Sequence, residues 1–130
     1  VKFLGPVHRA AKDALYRRSD LFVLPTHAEN FGLVVAEALA QEVPVITTMN
    51  APWSGLEEKC CGWWIPLNHE RLKDSMADAM SRPQADLQAM GAHGRAWIQT
   101  DFAPEHVAIK MREVYQWISG RTERPDHVNE

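Results

Sequence analysis

Cysteine is scarce. The 130 residues contain two, adjacent at Cys60 and Cys61, with no C-x-x-C spacing. Neighbouring cysteines seldom form an unstrained disulfide, because bridged Cα atoms normally stand farther apart than one peptide unit allows. The pair is expected to stay reduced, as in a cytoplasmic protein. Neither D-x-D nor H-x-x-x-H occurs and the six histidines are scattered, so no metal site within the chain is expected. No apolar run nears the roughly 20 residues that cross a bilayer; the best, Leu33–Ala40, is interrupted by Glu37. A basic-then-apolar leader is lacking too, which leaves secretion without support. Fourteen Lys+Arg against seventeen Asp+Glu give a formal charge of −3. Without a basic stripe, a nucleic-acid partner is not expected.

What is present is the balance of an ordinary globular domain, 45% hydrophobic and 24% charged, in a length that suits one domain. The chain begins at Val1 inside a strand-like run, Val1–Leu4, as expected of a piece of a longer protein. Helical spacing predicts Ala10–Arg18; Leu21–Leu24, closed by Pro25, reads as a strand buried on both faces. A helix over Gly32–Gln41, a strand over Val43–Thr47 and a strand over Gly62–Ile65 follow. The remainder reads as helices over Arg71–Ser81, Gln84–Thr100 and Pro104–Ser119, with a polar, fraying tail over 120–130. The methionines Met76, Met80, Met90 and Met111 read as core filler. Strands alternating with helices over short connections predict a parallel sheet, whose ligands lie beyond the carboxyl ends of its strands.

The loop after the second of these strands carries the chemistry. Glu29 lies in it, and Gly32 lets the backbone approach a ligand at a helix start whose free amides suit an anion. Glu37 is the one charge in an otherwise apolar helix and must reach solvent, a partner or a ligand. On pattern alone, a solvent-facing Glu37 and a merely capping Glu29 stay open as readings. Eight helical residues span about 12 Å. Paired glycosidase carboxylates stand about 5–9.5 Å apart. A longer ligand, with phosphate between two polar ends, fits better.

Glu29-x7-Glu37 around Asn30-Phe31-Gly32-Leu33, followed by Val43-Pro44-Val45-Ile46, resembles the carboxyl-terminal domain of GT-B glycosyltransferases. More narrowly, it resembles the retaining group 1 (family GT4) enzymes. Phe3–Val7, Ser19–Pro25 and Cys61–Ile65 sit where that pattern puts them, so the resemblance covers roughly residues 1 to 119. It implies an α/β fold: a Rossmann-like parallel sheet flanked by helices, the C-terminal half-domain of GT-B, with a helical C-terminus. Residues 1–119 would form the donor-binding fragment, and 120–130 the tail.

By the same resemblance Glu29 is the catalytic candidate, facing the donor sugar and supporting oxocarbenium charge. Glu37 accepts from ribose hydroxyls, and amides around Phe31, Gly32 and Leu33 hold the distal phosphate. The Gly5–Val7 backbone lines the base pocket, and His27 is a candidate sugar contact beside the bland reading of an exposed loop histidine. The donor, a nucleotide-diphosphate sugar, is a substrate; no cofactor and no metal are implied. The acceptor would be a saccharide or lipid-linked saccharide in surface polysaccharide synthesis. Family positions that grip phosphate with Arg and Lys lie upstream of this chain, as does the N-terminal acceptor domain. The 130 residues are therefore expected to fold without transferring sugar. A cytoplasmic protein, peripheral at the inner membrane face only through the absent part, is implied. The alternatives are a non-catalytic nucleotide- or phosphate-binding module, or an epimerase or phosphorylase on the same scaffold.

Glu42 departs from the family pattern, which has Gly there. Either it adopts the left-handed conformation at about 1 kcal/mol or the turn differs. Lys12 and Arg9 read as surface charges before phosphate ligands, and Glu57 and Glu58 as helix-face charges. Trp53 is a sugar-pocket wall or a cover on the sheet. Of Trp63 and Trp64, one should face in and the other out.

Overall fold

Val45–Thr48 is buried at every position and forms the central strand, β2. The computed structural model describes residues 1–128. Within it β2 pairs in parallel with β1 (Phe22–Leu24) on one side and β3 (Gly62–Ile65) on the other. Residues 1–96 form one compact unit and the chain from Trp97 a second. In the first unit, α1 (Ala10–Arg17) precedes β1, α2 (Leu33–Ala40) joins β1 to β2, and the short α3 (Gly55–Glu58) joins β2 to β3. Then come α4 (His69–Ser81), α5 (Gln84–Asp101) and α6 (Pro104–Ile118).

Register assigns the two faces of the sheet. Val23, Ile46 and Trp63 stand abreast and pack with Ile65 against Leu72 and Ala79 of α4. Pleating turns Val45 and Thr47 to the opposite face, where α2 packs on β1 and β2 and buries Val35, Ala38 and Leu39. Full burial of a side chain such as Leu39 is worth about 1.5–3 kcal/mol. The Tyr16 ring of α1 meets the Phe22 edge on at 5.6 Å between centroids.

The turn after α2 resolves the Glu42 alternative. Glu42 has φ 62°, its N–H donates to Leu39 O, and the Val43 N–H donates to Ala38 O. This is the Schellman pattern, with Glu where Gly is usual. Arg95 pairs with the Glu42 carboxylate at 2.8 Å.

Several expectations are corrected. Val1–Leu4 joins no strand among the described residues and is exposed. A β segment without a neighbour leaves its backbone groups to water and has no ladder to hold it. Leu21–Leu24 is half-buried instead of buried; among the described residues β1 has a strand on one side only. Both adjacent tryptophans are half-buried, one on each covered face; Trp63 donates to Asp78 at 2.9 Å and lies under the Arg82 guanidinium. Three of the four methionines are not core filler: Met76, Met80 and Met111 are exposed, whereas Met90 is half-buried. In α4 the small Ser75 and Ala79 face the sheet, which brings the helix close and turns the neighbouring methionine stripe outward.

In the second unit, α6 opens with Pro104 in its first turn and buries no residue. In the described part of the segment after Gly120, Arg124 lies over the Trp117 ring at 5.9 Å, and His127 is 3.7 Å from Glu113. The last two positions of the expected 120–130 tail lie outside the described residues.

Candidate functional site

Parallel strands end on the same edge, so the loops after β1 and β2 face one another there. The first, 25–32, carries His27, Glu29, Phe31 and Gly32; the second, 49–54, carries Asn50 and Trp53. Two contacts stitch them: the Glu29 N–H donates to Asn50 O at 3.2 Å, and Trp53 Nε1 donates to Phe31 O at 2.6 Å. Buried threonines at the end of β2 anchor the first loop from beneath. Thr47 Oγ1 donates to Leu24 O at 3.0 Å and Thr48 Oγ1 to Thr26 O at 2.6 Å. Both hydroxyls are thereby satisfied, as buried polar groups must be.

At the start of α2, Gly32 has φ 76° and ψ 57° and no side chain caps the helix. The left-handed conformation at this position suits glycine. Among the described residues no hydrogen bond accepts the Gly32, Leu33 or Val34 N–H, whereas Val35 N–H begins the helix on Gly32 O. The positive end of α2 is thus left with open donors beside Glu29. Glu29 is half-buried; its side chain makes no hydrogen bond or ion pair among the described residues. Leu33 is 69% exposed and Phe31 is 38% exposed.

Glu37, one helical stretch further on, points to α1. Its Oε1 is 2.5 Å from Lys12 Nζ, and the Tyr16 hydroxyl lies 3.5 Å from Oε2 and 3.4 Å from Val34 O. At these lengths the hydroxyl bonds are weak. Burial, then the neighbouring Glu37 carboxylate, push the Tyr16 phenol up to about 12. Lys12 is therefore the partner of Glu37 and not a lone surface charge.

His27 is exposed and makes no hydrogen bond or ion pair among the described residues. Gly5 has φ 66° with open space around it, and Val7 is half-buried. No hydrogen bond brings either to loop 25–32 among the described residues. Trp53, left between pocket wall and cover by the sequence, is 1% exposed and supports the loop from inside. Sequence reading missed the Lys12–Glu37 contact and the parts of Thr47, Thr48 and Asn50. Only Thr47-Thr48, two hydroxyls ending a buried strand, offered a signal.

Away from this edge, a cavity of about 550 Å3 is lined by Arg17, Arg18, Asp20, Pro44 and Arg95. It opens at the beginnings of the strands, beside the carbonyl ends of α1 and α2. Both cysteines are free; burial pushes the Cys61 thiol up to about 12. Among the described residues no group of three or more His, Cys, Asp or Glu could hold a metal ion. Nor is any helix of the described residues long and apolar enough to cross a membrane.

Comparisons with known proteins give the family of the chain. The family model described as glycosyl transferases group 1 matches residues 1–97. The capsular polysaccharide biosynthesis glycosyltransferase CapM of Staphylococcus aureus is 57% identical over 103 residues, covering 78% of this chain and 27% of that protein. The lipopolysaccharide core biosynthesis mannosyltransferase LpsB of Rhizobium meliloti is 35% identical over 106 residues, 78% of this chain and 30% of that one. Among solved structures, the sucrose-phosphate synthase of Thermosynechococcus elongatus superposes with a TM-score of 0.66 at 26% identity, over 83% of this chain and 27% of that one. The chain spans about a quarter of the length of the curated relatives it matches.

Proposed function

The chain belongs to the glycosyl transferases group 1 family, and from that premise we propose that it is the nucleotide-sugar-binding domain of a retaining glycosyltransferase. The observation that carries the reading is the pairing of open α2 amides at Gly32 and Leu33 with Glu29 beside them and Glu37 along the same helix. A nucleoside diphosphate sugar has three polar regions, sugar, diphosphate and ribose, which Glu29, the amides and Glu37 would meet in turn.

In this reading Glu29 is the catalytic residue. Its carboxylate faces the transferring sugar and stabilises the positive charge that grows as the glycosidic bond to the diphosphate breaks. The helix-start amides take up the negative charge that accumulates on the departing diphosphate, and need no reorganisation to do so. Glu37 accepts from the ribose diol. A carboxylate has about four acceptor sites, so Lys12 on Oε1 leaves room for both hydroxyls. Gly5 and Val7 border the base, and His27 borders the sugar. The remaining charge on the diphosphate falls to cationic groups upstream in the full protein, so no metal or cofactor is assigned. The acceptor is a saccharide or lipid-linked saccharide of a surface polysaccharide, supported by the capsule and lipopolysaccharide roles in the names of two relatives. The acceptor domain, and any peripheral contact with the inner face of a cytoplasmic membrane, belong to the rest of the full-length protein.

The test separates the two glutamates in the full-length enzyme. Glu29→Gln lowers kcat and kcat/KM together, because a transition-state contact is lost. Glu37→Gln raises the donor KM and weakens GDP or UDP binding with a smaller change in kcat. Hydrogen bonds to charged groups are worth about 1.5–3 kcal/mol, so each effect is roughly ten- to a hundredfold. Wild-type kcat in Glu29→Gln, or unchanged nucleotide affinity in Glu37→Gln, overturns the assignment. Nucleotide binding without product from any saccharide acceptor points to a binding module instead.

A further inference from the structure

Trp53 stands in a surface loop yet is 1% exposed. Its ring centroid is 5.2 Å from that of Phe31, tilted by 52°, and its indole N–H donates to Phe31 O at 2.6 Å. That carbonyl and the Gly32 N–H belong to one peptide unit, and no peptide bond in the described chain is cis. In a trans peptide the N–H points opposite to the C=O. Holding the carbonyl on the indole therefore aims the Gly32 N–H away from Trp53. A Cβ at Gly32 would lie 3.3 Å from Trp53 Nε1, so the indole fills the space on that side.

Glycine tolerates either orientation of a neighbouring peptide. Sterics alone do not set which way the Phe31–Gly32 unit faces. Flipped, it would present a carbonyl oxygen where the donor site presents an N–H. The indole hydrogen bond holds the carbonyl in the observed one of these states.

We propose that Trp53 is a positioning residue that aims the Gly32 amide at the distal phosphate of the donor; this rests on the donor-site reading above. Trp53 touches neither sugar nor nucleotide. It acts through the peptide that does, and its effect belongs to the distal phosphate alone.

The experiment compares nucleoside diphosphates with monophosphates in the full-length protein, titrating GDP, GMP, UDP and UMP by calorimetry. Trp53→Phe keeps an aromatic ring and removes the N–H. The diphosphate of the preferred base should bind about tenfold more weakly, with monophosphate affinity within twofold of wild type. A general loosening of the fold would weaken both together. Equal losses for both, or a diphosphate affinity within twofold of wild type, overturn the proposal. If Trp53→Phe does not fold, a benzothiophene isostere of the indole, incorporated at position 53, preserves its shape without the donor. The same two results then decide. A wild-type protein that binds monophosphates as tightly as diphosphates would defeat the donor-site reading itself.

Discussion

Lys12 Nζ sits 2.5 Å from Glu37 Oε1, joining the first turn of α1 to the middle of α2 across twenty-five positions of sequence. The two side chains are 33% and 37% exposed, so water and salt screen the pair. The pair holds one rotamer of Glu37, whose second carboxylate oxygen carries only the long 3.5 Å contact from the Tyr16 hydroxyl.

Lys12→Met in the full-length protein should weaken GDP or UDP binding by about two- to fivefold, the range of a partly exposed ion pair. Lys12→Arg should restore it. In a Glu37→Gln background Lys12→Met should have no further effect, since the two act as one unit. A full effect of Lys12→Met in that background, measured by the same titration, would mean that Lys12 acts elsewhere.

Tyr16 supplies a pH dependence. Its phenol is raised from 10.0 to about 12, first by burial and then by Glu37. Between those values the folded chain keeps a proton that the unfolded chain releases, so stability falls as pH rises through this window. Below pH 10 the contribution is complete. Chemical denaturation at stepped alkaline pH should show this loss, and Tyr16→Phe should abolish that part of it. Glu37→Gln should lower the tyrosinate absorbance midpoint of Tyr16 yet leave it above 10, because burial is the larger cause.

Gly91 faces the Glu42 turn so closely that an added Cβ would fall 1.9 Å from Glu42 O. Backbone cannot yield as a flexible side chain does. Gly91→Ala should therefore cost about 2 kcal/mol or more, in the upper range of overpacking. Glu42→Gly should be nearly neutral. Relief of about 1 kcal/mol of left-handed strain is offset by about 0.4–1 kcal/mol of unfolded-state entropy and the lost Arg95 pair. Thermal melts of both variants check the contrast, which a flexible α5 packing would erase.

The amino-acid sequence by itself determined the order and type of the elements that form the site. Leu21–Leu24 and Val43–Thr47 are too short and too apolar for surface helices, and Gly32 followed by Leu33–Ala40 marks a helix start. These are local properties, carried by propensity and periodicity; the roles expected of Glu29 and Glu37 come from the resemblance to group 1 glycosyltransferases. Only the tertiary structure decided which groups serve those residues. Lys12 reaches Glu37, Trp53 holds the Phe31 carbonyl, and Gly91 accepts the Glu42 turn through contacts between segments distant in sequence. Helical spacing could not distinguish the exposed Met76 and Met80 from core residues, because the side of α4 that meets the sheet is fixed by the smallness of Ser75 and Ala79. Nor could strand propensity keep Val1–Leu4 in a strand, since a strand exists only where a neighbouring backbone completes its hydrogen bonds.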